Sequence, residues 1–494
     1  MIDFIVIGTG FSGLGMAMRL KREGRSFVVL EKAASVGGTW RENTYPGCAC
    51  DVPSHLYSYS FEPHAGWTRM YAPQPEIRAY LEGCAEKYGV MPHVRFGREV
   101  IRAVFDERQN AWFVETATKE TFVARYLVFG IGALHRPAYP KIAGLERFAG
   151  RAFHSARWDH AYDLRGKRVA VIGSGASAVQ LVPPVVAKAR AVTVFQRTPP
   201  WVLPKPDRPF TSAAQRFFAE HPWAMRAFRG GLYALLEAAT AGFVVEPKIL
   251  AQAERLGRRH IAAQISDAEL RAKVTPDYRA GCKRILISDD YYPALAAPSV
   301  EVVTEAIAAV DERAVITVDG RRHEVDAIIF GTGFHVTDAL TALDVRGRNG
   351  LSINAAWKDG IRAYLGTTIA GFPNAFMLMG PNTGLASNSM VFMIEAQIDY
   401  AMKCVREADQ RGAQAIEVRA NAQSAFNDRL QRRLAGRVWS SGCQSWYLDE
   451  NGRNSTLWPG MTLEYWARTR RIIATDYLFD TLQAQAPRVL SRAS

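Results

Sequence analysis

The sequence predicts an α/β fold in which two parallel-sheet units are joined by a helical insertion. Two stretches of the chain share one pattern: a short apolar strand, a glycine-rich turn, a helix and a second apolar strand. The first pattern begins with residues 2–7 and the second with residues 168–172. Between residues 211 and 272, Ala, Leu, Arg and Glu recur at helical spacing. We therefore expect two Rossmann-like dinucleotide-binding domains and a helical insertion.

The first glycine turn has the spacing of a dinucleotide site. Gly8, Gly10 and Gly13 follow the strand and open the helix, where a tight turn, close approach to a pyrophosphate and close helix–strand packing are needed. Phe11 and Ser12 lie at the helix N-terminus, whose free N–H groups favour phosphate. Glu31 ends the second strand 18 residues beyond Gly13 (31 − 13), close to the ~20 typical of an acid that holds ribose hydroxyls.

The second turn differs at the end of its second strand. It keeps the tight turn through the run Gly173, Ser174, Gly175, Ala176, Ser177 and Ala178. The acid is replaced by Gln196, followed by Arg197 and Thr198. An acid there would repel a 2′-phosphate, whereas a guanidinium can pair with it. We therefore predict FAD in the first site and NADPH in the second.

Cysteine usage bears on the kind of redox chemistry. Disulfide reductases and flavin oxygenases both bind FAD beside NAD(P)H, but the reductases need a reactive cysteine pair near the flavin. The closest pair among the six cysteines is Cys48 and Cys50, which is not a CxxC, and this favours oxygen chemistry. We expect all six cysteines to be free thiols and no metal site, because ligand spacing is lacking.

Composition limits the partners and the location. The net charge is +13, but Lys and Arg form no dense run, so we predict no nucleic-acid partner. The longest apolar stretch, residues 230–245, contains Glu237 and is shorter than the ~20 residues of a membrane span. We expect a packed helix there, no integral membrane segment and a cytoplasmic protein, without excluding peripheral contact with a membrane.

Two longer motifs in the sequence are more specific than a glycine turn. Residues 148–159 contain Phe148, Gly150, His154 and Trp158 in the pattern FxGxxxHxxxW[PD]. Residues 37–51 contain a GGTW run, then YPG, and end at Asp51. Both motifs resemble those of the Baeyer–Villiger monooxygenases, and the resemblance covers nearly the whole chain. It implies an oxidoreductase that uses FAD, NADPH and O₂ to convert a ketone to an ester or lactone through a flavin peroxide.

The resemblance also implies roles for individual residues. Arg284 matches the active-site arginine of that family, which stabilises the peroxide and the developing oxyanion. Asp51 would orient Arg284, Lys283 would help to bind the NADPH phosphate, and Trp446 would touch the nicotinamide cofactor. For His154, coordination of domain movement is implied rather than direct chemistry, and Phe148 and Trp158 are expected to pack. The remaining residues assigned to the FAD site are Lys32, Gly38, Thr39, Trp40, Tyr57 and Val100.

Domain boundaries follow from these motifs. The FAD-binding domain is predicted at 1–139 and 372–494, the NADP-binding domain at 140–208 and 283–371, and the helical insertion at 209–282. Three alternatives stay open: a flavin monooxygenase that oxygenates sulfur or nitrogen, an NADPH oxidase or reductase without oxygenated product, and a nucleotide-binding redox sensor. The sequence fits a monomer or a dimer.

Overall fold

The computed structural model describes residues 1–245, 248–336, 340–443, 445–449 and 451–481. The N-terminal part comprises the following elements: β1 Ile2–Ile7, α1 Phe11–Arg22, β2 Phe27–Leu30, α2 Thr39–Glu42, α3 Gln74–Lys87, β3 Val94–Arg95, β4 Val100–Asp106, β5 Ala111–Thr116 and β6 Thr121–Phe129. Its strands β1 and β2 are parallel and largely buried, as expected for a sheet covered on both faces.

The middle of the chain forms the second unit and the insertion. Its elements are β7 Arg151–His154, β8 Arg168–Ile172, α4 Ala176–Val186, β9 Ala191–Phe195, β10 Val202–Leu203, α5 Ser212–Glu220, α6 Pro222–Val244, α7 Lys248–Gln264, α8 Ala268–Val274, β11 Leu286–Ile287, α9 Tyr291–Leu295, β12 Val300–Val303, β13 Ile307–Val310, β14 Ala314–Thr317, β15 Arg322–Glu324 and β16 Ala327–Phe330.

The C-terminal part returns to the first unit. It comprises β17 Asp344–Arg346, α10 Ile353–Ala356, β18 Ala375–Met377, α11 Met390–Gln410, β19 Ala413–Val418, α12 Ala420–Ala435, α13 Thr462–Thr469 and β20 Tyr477–Thr481.

Two sheets define the architecture of the described residues. The first has the order β17-β4-β5-β6-β1-β2-β3, with β18 also paired to β6. The second has the order β12-β9-β8-β16-β7 and is parallel throughout. The two Rossmann-like units predicted from the sequence are thereby present. One boundary differs: β17 pairs with β4, so residues 344–346 join the first sheet although the sequence placed them in the second domain.

The insertion consists of α5 to α8 and lies between two paired strands. β10 and β11 flank it and pair in parallel, which brings its two ends together beside residue 284. Residues 230–244 of the apolar stretch lie in α6, which is buried along one face and exposed along the other, as at Leu235. Within the described residues, no helix is long and apolar enough to cross a membrane.

Polar contacts fix α6 to the first unit. The Arg229 guanidinium donates to the His55 carbonyl and to Ser58. The Glu237 carboxylate is buried and accepts from Asn388 Nδ2 at 2.9 Å, Thr462 Oγ1 at 2.7 Å and the Leu463 N–H at 3.0 Å. The carboxylate therefore joins the insertion to the N-terminus of α13.

Replacing Glu237 should loosen this junction. Glu237→Ala leaves three donors without their acceptor, at a cost of about 3 kcal/mol for buried groups. We expect a lower midpoint in urea unfolding of the holoenzyme, monitored by tryptophan fluorescence. The exposed Glu220→Ala serves as the control and should leave the midpoint unchanged. An unchanged midpoint for Glu237→Ala would show that the junction does not contribute to stability.

Candidate active site

The first glycine turn has the shape of a pyrophosphate cradle. Gly8 has φ of +97°, and a Cβ at Gly13 would lie 1.8 Å from the Gly8 carbonyl oxygen, so neither position accepts a side chain. At Gly10 the nearest atom to a Cβ would be 3.7 Å away, on Gly38. The turn is therefore packed behind and open above Gly10, which fits close approach of a pyrophosphate. No side chain caps α1, so Phe11 and Ser12 begin a helix whose first N–H groups can receive phosphate.

Glu31 is buried at the end of β2 and lies against this turn. One carboxylate oxygen accepts from the Thr9 N–H at 3.0 Å and from Thr9 Oγ1 at 2.6 Å. The other accepts from the Ala33 N–H at 2.9 Å and lies 3.2 Å from Arg41 Nη1. The acid stands where a ribose-binding carboxylate is expected, and Thr9 and Arg41, which the sequence analysis missed, hold it there.

The second turn repeats this shape. Gly173 has φ of +122°, and a Cβ there would lie 2.3 Å from the Gly331 carbonyl oxygen. No atom lies within 4 Å of a Cβ at Gly175, so the turn is open where a pyrophosphate would approach. Ala176, Ser177 and Ala178 begin α4, and Ser174 Oγ donates to the Thr198 carbonyl at 2.7 Å. The residues present in both turns fit two dinucleotides.

Two cations from distant parts of the chain meet beside the second turn. Arg197 follows β9 and is exposed, whereas Lys283 is half-buried, with its Nζ 4.9 Å from the centre of the Tyr278 ring. Burial lowers the pKa of Lys283, and the positive charge of Arg197 lowers it further. Because like charges cost free energy when close together, an anion between them would be stabilised. The arrangement suits the 2′-phosphate of NADPH.

Removing these cations should change cofactor preference. In Arg197→Ala and in Lys283→Ala, the loss of a phosphate-pairing cation should raise KM for NADPH several-fold and leave KM for NADH nearly unchanged. Steady-state NAD(P)H oxidation measures both constants. The exposed Lys188→Ala, just after α4, is the control. Parallel increases for both cofactors would contradict a phosphate site.

Asp51 and Arg284 form an ion pair between the two units. Arg284 Nε and Nη2 donate to the same Asp51 oxygen, Oδ2, at 2.9 and 2.6 Å. Arg284 Nη1 donates to the Leu385 carbonyl at 3.4 Å. The negative charge of Asp51 raises the pKa of Arg284 above its ordinary value, so the guanidinium keeps its proton.

Aromatic and thiol groups surround this pair without adding charge. Burial raises the pKa of Tyr447 to about 12 and raises the pKa of Cys50 and Tyr57 above their ordinary values. Trp40 Nε1 donates to Tyr57 Oη at 3.3 Å, which connects the GGTW run to the groups around the ion pair. Tyr447 was not identified from the sequence, because no local pattern marks a tyrosine that packs next to a distant arginine.

The loop at residues 37–51 is also held by the second unit. Gln180, on α4, accepts from Tyr45 Oη at 2.9 Å and from the Ala49 N–H at 3.3 Å, and donates to the Ala49 carbonyl at 3.0 Å. A Cβ at Gly47 would lie 2.3 Å from the Gln180 carbonyl oxygen. Gln180, which the sequence analysis also missed, therefore positions the loop that ends at Asp51.

The residues of the motif at 148–159 make packing contacts and backbone hydrogen bonds. His154 ends β7, is fully buried, and its Nδ1 accepts from the Ala156 N–H at 3.1 Å. Burial lowers the pKa of His154 to about 4, so it is neutral at pH 7. Gly150 has no room for a Cβ against Phe148 and the Asp326 carbonyl, and Trp158 packs edge-on against Phe153. The packing expected of Phe148 and Trp158 is present.

The remaining assigned residues occupy different surroundings. Gly38 lies beside Gly10, and Thr39 begins α2. Val100 is buried at the start of β4, while Lys32 is exposed after β2. Trp446 is 48% exposed and packs on the Tyr447 ring, with 4.5 Å between centroids.

The expectation of six free thiols is wrong for one pair. Cys282 and Cys443 form a disulfide, with Cα atoms 6.2 Å apart. The two residues are 161 positions apart in sequence, so no local spacing indicates their pairing. The other four cysteines are free and buried.

Two dinucleotide turns in one chain, together with an arginine paired to Asp51, are the features of a flavin- and nicotinamide-dependent oxidoreductase. Residues 5–211 match the family described as pyridine nucleotide-disulphide oxidoreductase. A Baeyer–Villiger monooxygenase of Pseudomonas aeruginosa is 52% identical over 479 residues, covering 96% of this chain and 91% of that protein. A Baeyer–Villiger monooxygenase of Streptomyces coelicolor is 49% identical, with the same coverage of each chain.

Solved structures agree with these relatives. Cyclohexanone monooxygenase from Rhodococcus sp. Phi1, bound to NADP⁺, is 30% identical with a TM-score of 0.88, covering 97% of this chain and 99% of that chain. A steroid monooxygenase bound to NADP gives the same values. The chain belongs to the Baeyer–Villiger monooxygenase family and is an FAD- and NADPH-dependent enzyme of that class. The predicted fold class, family and cofactors are thereby confirmed.

The link between Gln180 and the loop can be tested directly. Gln180→Leu removes three hydrogen bonds between the units and should misplace Asp51. We expect a larger share of the NADPH consumed to appear as hydrogen peroxide rather than product, because water reaches a loosely closed site. Peroxide and NADPH assays with a ketone measure that share. FAD content should match wild type, and an unchanged share would show that Gln180 does not position the loop.

Proposed function

We propose that Arg284 stabilises the negative charge that develops on the carbonyl oxygen of a ketone, and that Asp51 orients it. The enzyme would thereby convert a ketone to an ester or lactone. The supporting observation is the ion pair itself, a guanidinium fixed against the loop that ends at Asp51 and held in its charged form. When bound, the reduced flavin supplies the electrons that activate O₂, and NADPH supplies those that reduce the flavin.

The hydrogen bonds of Arg284 leave part of its guanidinium free to bind a substrate oxygen. Its guanidinium has five N–H groups. Two of them donate to Asp51 and one to the Leu385 carbonyl. Two N–H groups, one on Nη1 and one on Nη2, therefore have no acceptor among the described residues and can point at a developing oxyanion. Lysine could not reproduce this arrangement, because its ammonium lacks the planar fork that Asp51 holds.

The neutral groups around the ion pair strengthen the stabilisation that Arg284 can give to an oxyanion. Tyr57, Tyr447 and Cys50 keep their protons at neutral pH and fill space that water would otherwise occupy. Charge stabilisation is stronger where water is excluded, because the surrounding dielectric is lower. The ion pair thus places a fixed cation beside a fixed anion, and the cation can polarise a carbonyl without transferring a proton.

The nucleotide turns complete the assignment. The turn at residues 8–13 with Glu31 would hold FAD, and the turn at residues 173–178 with Arg197 and Lys283 would hold NADPH. Trp446, half-exposed beside Tyr447 in the C-terminal loop (residues 441–443 and 445–449), would contact the nicotinamide cofactor, as the family resemblance implies. A small-molecule ketone and O₂ are the expected partners. A cytoplasmic location and a monomeric or dimeric state stay predictions.

Variants at residue 284 should separate ketone from sulfide oxidation. With NADPH and ¹⁸O₂, Arg284→Ala should lower the rate of labelled ester or lactone formation by about 100-fold or more, because an oxyanion loses its stabilising donor. Arg284→Lys and Asp51→Asn should show smaller losses. Sulfoxide formation from a sulfide should fall less, since no oxyanion develops on a carbonyl.

Mass spectrometry of the products and assays of NADPH and peroxide follow the outcome. The exposed Arg216→Ala, on α5, is the matched control and should behave as wild type. Equal losses for ketone and sulfide would point to a general defect in cofactor binding instead. Wild-type NADPH oxidation that yields only hydrogen peroxide across linear, cyclic and aryl ketones would overturn the proposed function.

A further inference from the structure

The Cys282–Cys443 disulfide joins two segments that both carry site residues. Cys282 precedes Lys283 and Arg284 directly, at the end of the insertion. Cys443 lies three positions before Trp446 and four before Tyr447. The bond therefore ties the segment that presents the arginine to the C-terminal loop that packs next to it, across 161 positions of sequence.

The described residues around Cys443 hold the C-terminal loop through side-chain contacts, and beyond it Tyr447 is buried in the core. Ser441 Oγ donates to the Val438 carbonyl at 2.6 Å and to Cys282 Sγ at 3.3 Å. Trp439 stacks on Phe243 of the insertion, with 6.1 Å between ring centroids. Beyond Cys443, Trp446 is half-exposed. A covalent link in such a segment restricts loop motion more than one hydrogen bond can.

The surroundings of the disulfide favour thiol exchange at one sulfur. Cys282 is 1% exposed, whereas Cys443 is partly exposed, so an external thiolate can reach Cys443. A cavity of about 280 Å³ lies near the disulfide, lined by Ala280, two positions before Cys282, and by Ser441, two positions before Cys443. Its charged lining residues are Arg279, Arg437 and Glu254, so cations outnumber anions there, which favours the approach of a thiolate.

We propose that Cys282–Cys443 is a reversible thiol–disulfide site that fixes the C-terminal loop against the arginine segment. A dithiol would act as the two-electron reductant. Its thiolate attacks Cys443 Sγ, the sulfur–sulfur bond breaks, and Cys282 leaves as a thiolate that takes up a proton. The second thiol of the reductant then displaces Cys443, and the reductant ends as a disulfide.

The functional consequence rests on the proposed roles of Arg284 and Trp446. With the disulfide intact, Tyr447 and Trp446 keep their place beside the segment that carries Arg284. With both cysteines reduced, the loop moves more freely and water enters. NADPH consumption then continues, but a smaller share of it yields oxygenated product.

Chemical analysis of the holoenzyme tests the bond first. Denatured without reductant, the protein should release four titratable thiols, those of the four free cysteines, and after dithiothreitol all six. Six thiols without reductant in protein purified in air would overturn the proposal.

Function is then compared in the two redox states of one preparation. Reduction should lower the ratio of ester formed to NADPH consumed several-fold and should speed deuterium uptake by a peptide covering residues 441–449. Reoxidation with oxidised dithiothreitol should restore both. Cys443→Ser should resemble the reduced enzyme and ignore the reductant, whereas Cys84→Ser, at a free cysteine, should respond as wild type does.

Two outcomes separate this inference from the proposed function. If no ketone gives ester in either state but deuterium uptake still changes on reduction, the proposed function fails and the loop tether stands. If uptake and coupling are identical in the two states, the tether is overturned while the activity stands. Because the comparison of redox states uses the wild-type enzyme alone, its result does not depend on whether a variant folds.

Discussion

The ion pair between Asp51 and Arg284 is the constraint on which the site depends. Its partners are 233 positions apart and come from the loop at residues 37–51 and from the end of the insertion. Neither charge would be stable alone in a partly buried setting, since each has left water. The pair therefore holds only while the loop at residues 37–51 and the segment at residues 282–285 keep their mutual position. Gln180, β10 and β11 all serve that placement.

The parts predictable from sequence are those encoded locally. Both glycine turns, Glu31 and Arg197 occupy positions that follow from spacing along one strand–turn–helix unit. Asp51 and Arg284 required resemblance to a family, because no spacing relates residues so far apart. Gln180, Tyr447 and the Cys282–Cys443 bond lay beyond both approaches. Each forms a tertiary contact that neither periodicity nor a short motif encodes, and β17 joined the first sheet for the same reason.

The residues of the family motif at 148–159 show how a recognisable pattern can be structural. His154 is buried and neutral, and its surroundings are aromatic rings and backbone. It ends a strand of the second sheet, next to the turn that follows β16. A histidine in such a place packs between elements and does not exchange protons with solvent. Packing also limits residue 150, where a Cβ would collide with Phe148 and the Asp326 carbonyl.

The pairing of β18 with β6 has a consequence for how the protein is made. The first sheet begins with residue 2 and gains strand β18 at residues 375–377, after the whole second unit and insertion have been synthesised. On the ribosome, the second sheet can therefore close while the first is still incomplete. During that interval the edge of β6 that later pairs with β18 stays exposed, and unpaired strand edges favour aggregation. Slow translation upstream of β18 would prolong this exposure. The order of strands along the chain therefore makes completion of the first sheet the step of biosynthesis most open to aggregation.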